Sequence, residues 1–135
     1  MAINKAKAEI EALAASGVGI ELGNVGVQPY AHVRGVEVPS PPWDRAAYDI
    51  LIVIPFAYDE KAELDGFYLE LPYQYGGSNH NRVNGQEITH NGKTWKLVSW
   101  HYADGQAFNP KYDTIESHIV HCKGFFLHRG ATNAK

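Results

Sequence analysis

The stretch Tyr48-Asp49-Ile50-Leu51-Ile52-Val53-Ile54-Pro55 decides the fold. Its five consecutive β-branched or leucine residues carry no polar alternation and are too few for a buried helix. They read as a strand covered on both faces, inside a sheet rather than at its edge. Downstream, Phe67, Leu69 and Leu71 alternate with Tyr68 and Glu70, which gives a half-buried strand ended by Pro72. Upstream, Val18, Ile20 and Leu22 alternate with Gly19, Glu21 and Gly23 in a strand expected over Val18 to Val27. Another is expected over Tyr30 to Val38, where His32 shares the parity of Tyr30 and Arg34 and Val33 faces the core. Pro41-Pro42-Trp43 interrupts, because two prolines cannot continue a ladder.

Helices bracket these strands. Ile3 to Ala15 places Ile10 and Leu13 on one side, with Gly17 as the stop. Asp113 to Leu127 repeats Ile115, Ile119, Cys122 and Phe126 at four, three and four residues, an apolar stripe. Asp113 is the expected N-cap, with Glu116 completing a capping box. Between the last long strand and this helix, Tyr73 to Gln86 is rich in Gly, Asn and Tyr and reads as an irregular loop. Asn91-Gly92 then marks a small hairpin, Glu87 to His90 against Lys93 to Val98. The pattern is α+β: a four-stranded antiparallel meander flanked by an N-terminal and a C-terminal helix, one domain over residues 1–135 with its core at about 18–128.

The bulk properties narrow the function. The chain has 135 residues, 44% hydrophobic and 20% charged, with a net charge of −3. That suits one soluble core. No basic block offers a footprint for nucleic acid. The longest apolar run is far too short to span a bilayer, and no apolar h-region follows Lys5 and Lys7, so neither a membrane anchor nor a signal peptide is expected. Cys122 is the only cysteine, which excludes an intrachain disulfide and agrees with a cytoplasmic location.

Chemistry concentrates in the last third, where Trp95, Trp100, His101 and Tyr102 fall within a few residues of each other, followed by Asp104. Tryptophan wants burial and a partner for its indole N–H, and a histidine among large aromatics has its charge state set by them. His101 is the candidate catalytic residue, as a general base or as a donor to an oxyanion. Trp95, Trp100, Tyr102 and Asp104 are candidate binding residues around it. The competing reading makes His101 a tie between loop and sheet, with the tryptophans as packing. Cys122 lies on the apolar stripe and reads as core. His118, His121 and Cys122 share a helical neighbourhood, but Cys122 points inward and no second ligand pair follows. They read as partly exposed histidines beside a core thiol, with no metal expected. No other cofactor is expected. Asn79, Asn81 and Asn84 read as turn residues, and the run Asp59, Glu60, Glu63 and Asp65 as a solvated face.

The order Pro42-Trp43-Asp44-Arg45, Tyr48 to Pro55, Phe67 to Leu71, Gly92-Lys93-Thr94-Trp95, Ser99-Trp100-His101 and Asn109-Pro110, then Asp113 and the helix carrying Ser117 and His118, resembles prokaryotic E2 family E of the ubiquitin-conjugating superfamily. The resemblance implies the conjugating-enzyme fold. It also implies a ubiquitin-like protein and an activating enzyme as partners, in the genetic company of a deubiquitinase-like metallopeptidase. It places His101 in the family's Trp-His element. Two departures are plain. No cysteine lies between Tyr73 and Tyr112, where the thioester cysteine belongs, and Tyr58 is followed by Asp59 rather than proline. A thioester relay needs a thiolate, as nucleophile and as leaving group. The expectation is therefore an E2-like component without thioester chemistry that binds a ubiquitin-like protein or its activating enzyme. The alternative is a cysteine-independent enzyme using His101 for acyl or proton transfer, or a metal-dependent activity.

Overall fold

The computed structural model describes residues 4–56, 58, 63–100, 102, 108–109 and 111–127. The elements run α1 (Asn4–Ala15), β1 (Ile20–Val25), β2 (Gln28–Glu37), β3 (Ala47–Val53), β4 (Phe67–Glu70), β5 (Val83–His90), β6 (Lys93–Val98) and α2 (Ile115–Leu127). The class is α+β, as the periodicities require.

Apart from Asn4 and Ile10, helix α1 is built from alanine, lysine, glutamate and leucine, all good helix formers. Ala6, Ile10 and Leu13 form its buried stripe. It ends in a Schellman motif: the Val18 N–H reaches the Leu13 carbonyl at 3.0 Å and the Gly17 N–H that of Ala14 at 3.1 Å. Gly17 takes φ +100°, which a side chain would resist.

All strand pairs are antiparallel, in the spatial order β1-β2-β3-β4-β6-β5. The expected four strands are thus six, because the small hairpin belongs to the same sheet. Its second strand, β6, lies against β4, with Tyr68 opposite Leu97 and Leu69 opposite Lys96. The reason is the burial of β4. All four of its residues are buried, so an unpaired edge there would strand backbone groups away from water. β3 is interior, as its unbroken apolar run predicts. Asn91 and Gly92 turn the hairpin at φ 54° and 73°. β1 stops at Val25, short of Val27, because Gly26 at φ +60° opens the turn into β2.

The helices cover one face of the sheet, over Val33, Ile50, Ile52, Phe67 and Leu69. The other face buries a smaller cluster of Tyr30, Leu51, Tyr68 and Trp95. Beside it, a bulge in β2 between Val33 and Val36 is stapled by Asp49. One carboxylate oxygen accepts the Gly35 N–H at 3.0 Å and the other bonds His32 Nε2 at 2.9 Å. Burial alone would raise the Asp49 pKa; the bonds from His32 and Gly35 and the charge of Lys93 outweigh it and hold the carboxyl below its usual range.

The α2 cap differs from the expected Asp113–Glu116 pair. Thr114 is the cap. Its hydroxyl accepts the Ser117 N–H at 3.3 Å, and the Ser117 hydroxyl accepts the Thr114 N–H at 2.8 Å. Asp113 instead accepts from the Asn109 N–H at 2.7 Å. A carboxylate from α1 completes this end: Glu9 Oε1 accepts both the Ile115 N–H and the Tyr58 hydroxyl, each at 2.8 Å. The helix dipole favours a negative charge there.

Candidate functional site

β6 ends at Val98 and the chain crosses to α2. The Trp100 indole N–H donates to the His121 carbonyl at 2.9 Å, which seats this crossing on the helix. The neighbouring loop is stitched to the same place. Arg82 donates to the Ser99 carbonyl at 3.3 Å and sits 5.8 Å from the Trp100 ring, a cation–π distance. The Ser99 hydroxyl donates to Asn84 at 2.6 Å, and Asn84 in turn donates to the Asn81 carbonyl at 3.0 Å. Asn81 therefore acts as a turn residue, whereas Asn84 lies in β5 and not in a turn.

Tyr102 lies flat on His121, their ring centres 3.7 Å apart at an interplanar angle of 7°. Its hydroxyl is 2.6 Å from His118 Nδ1, and His118 Nε2 is 3.0 Å from the Gly66 carbonyl. A carbonyl only accepts, so Nε2 carries the proton. Burial pushes the His118 pKa down to about 4; His121 adds to the fall, while the Gly66 bond, Asp65 and Asp113 oppose it. At neutral pH the imidazole is uncharged, Nδ1 accepts, and the tyrosine hydroxyl donates. Burial likewise raises the Tyr102 pKa, with the charges of Cys122, Asp113 and Asp65 adding to it. Both ring nitrogens of His118 are committed, so this network positions a segment rather than moving protons to a substrate.

His118 is fully buried, which corrects the reading of it as partly exposed. Trp95 is also fully buried, and on the other face of the sheet, its indole donating to the His90 carbonyl at 3.1 Å. Trp100 and Tyr102 pack against the helix-side core. Of the expected binding set, then, the structure brings Trp100 and Tyr102 together and leaves Trp95 apart. Trp95 within β6 and Trp100 just beyond its end separate this way because strand parity and the end of β6 send them to different faces. His101 and Asp104 lie outside the described residues. Among the described residues no group of three or more His, Cys, Asp or Glu is arranged to hold a metal ion.

Cys122 is fully buried on the α2 stripe. Burial, with Asp65 adding, pushes its thiol well above the usual range, so the thiolate that thioester chemistry needs is suppressed. Cys122→Ser should fold with a loss of about 1–3 kcal/mol, from a hydroxyl in an apolar site. Native protein should react with a thiol reagent only on unfolding; rapid labelling would contradict the core placement.

Sequence reasoning missed Glu9 and Gly66. Glu9 meets Ile115 across 106 residues and Gly66 meets His118 across 52. Neither carries a local signal of its role.

A family model described as prokaryotic E2 family E matches residues 7–126. No curated protein and no solved structure matches the chain.

Proposed function

The chain belongs to prokaryotic E2 family E, and from that premise we propose that it is a non-catalytic E2-like component of a ubiquitin-like conjugation system. It binds a ubiquitin-like protein or that protein's activating enzyme. The family gives the general role in conjugation. The observation that carries the finer reading is the state of the only thiol: Cys122 is buried on the inner face of α2 with its pKa raised, and Tyr73 to Tyr112 contains no cysteine. In this reading the partner contacts the crossing from β6 to α2, through Trp100 and Tyr102 with His101 and Asp104, and the protein works in the cytoplasm. No helix among the described residues is long and apolar enough to cross a membrane.

The test incubates the protein with ATP, an activating enzyme and a ubiquitin-like protein from the same genome, then measures intact mass and binding. The expected result is unchanged mass with saturable binding to one partner. A reductant-sensitive gain equal to the ubiquitin-like protein less one water would overturn the non-catalytic reading. His101→Ala should weaken that binding about tenfold or more at unchanged melting temperature, the loss of one central contact. A large drop in melting temperature with affinity intact per folded molecule would make His101 a structural tie instead.

A further inference from the structure

His118 joins two chain segments that are remote in sequence. Gly66 closes the connection from β3 to β4, and its carbonyl accepts from His118 Nε2 at 3.0 Å. Tyr102 lies in the connection from β6 to α2, and its hydroxyl donates to His118 Nδ1 at 2.6 Å. One fully buried imidazole on α2 therefore holds both connections, one by each nitrogen. A second contact runs parallel to it. Phe108, from the β6–α2 connection, has its ring centre 6.2 Å from those of both Tyr102 and His118, and 6.5 Å from that of Tyr58 in the β3–β4 connection.

We infer that His118 is a positioning residue that locks the β3–β4 and β6–α2 connections to each other, so that loosening either loosens both. A buried imidazole cannot trade one lost partner for water, so losing one bond removes much of the reason for the ring to stay in place. The second connection then loses its anchor. Coupling of this kind is reciprocal: whatever holds Gly66 against His118 favours the Tyr102 bond by the same factor. The inference concerns the free protein and stands apart from the proposed binding role.

Amide hydrogen exchange of the whole chain tests it, comparing the wild type with Tyr102→Phe. The phenylalanine keeps the ring on His121 and removes only the hydroxyl. Exchange should quicken about tenfold in residues 108–112 and, by a like factor, in residues 63–67, as expected for losing one buried hydrogen bond. Faster exchange confined to residues 108–112 would overturn the coupling. Long-range proton–nitrogen NMR on the wild type supplies a second readout, because the joint requires the Nε2–H tautomer at neutral pH. A dominant Nδ1–H tautomer would overturn it whatever the exchange shows, since Nε2 could then not donate to Gly66.

Discussion

Trp43→Ala should cost about 3–5 kcal/mol of folding stability, the range for truncating a large aromatic in a core. Trp43 is 1% exposed. Its ring meets Tyr48 at 5.7 Å, Tyr75 at 5.0 Å, Phe125 at 5.6 Å and Phe126 at 5.2 Å, and stacks on His80 at 5.8 Å with an interplanar angle of 8°. It thus welds the Pro-rich connection after β2 and the loop around Tyr75 to the last turns of α2. The indole also donates to the Phe126 carbonyl at 3.1 Å, and the substitution leaves that acceptor without it. Against a typical total of about 5–15 kcal/mol, this loss removes much of the margin. Urea denaturation of both proteins measures it directly. A loss under about 1 kcal/mol would show that the cluster does not bear on global stability.

Acid should weaken the protein well above the carboxylate range, and His118 should be a principal cause. Its pKa lies at about 4 in the fold, below the ordinary 6.5. Between these values the unfolded chain binds the proton and the native chain does not. Stability is therefore full above pH 6.5 and lost as pH falls towards 4, by about 3 kcal/mol for the whole window. Burial is the main cause; His121 adds to it, and Asp65 and Asp113, which favour the charged form, reduce the effect. Asp49 acts in the same direction at lower pH, because its carboxyl is held below its usual range and its contribution is lost on protonation. Unfolding midpoints at pH 7.5 and pH 5 give the slope. His118→Gln is the control, since an amide can donate to Gly66 and accept from Tyr102 without titrating. The variant should show a flatter slope; an unchanged slope would assign the acid sensitivity to other groups.

The two residues behind these predictions differ in how far the sequence announces them. Trp43 stands out beside two prolines as a large aromatic needing burial. His118 shows only as a histidine at helical spacing from Cys122, a spacing that reads as a partly exposed helix position rather than a buried one. Its two partners arrive from connections that have no periodicity to read.

What the sequence determined by itself are the features with short-range causes. The unbroken apolar run at Ile50 to Ile54 makes β3 interior, and Ile115, Ile119, Cys122 and Phe126 mark the buried stripe of α2. Asn91-Gly92 supplies the left-handed turn, and the cysteine count leaves the region before α2 without a thiol. Each follows from a repeat of two or about four residues, from one residue's backbone preference, or from a bare inventory. Only the tertiary structure decided that β6 closes the edge of β4, that Thr114 and Ser117 rather than Asp113 and Glu116 cap α2, and that Trp95 and Trp100 part to opposite faces. The same holds for His118, which binds Tyr102 and Gly66 from 16 and 52 residues away. Those outcomes depend on which buried polar groups must find partners once the apolar surfaces have met, and local periodicity does not encode that pairing.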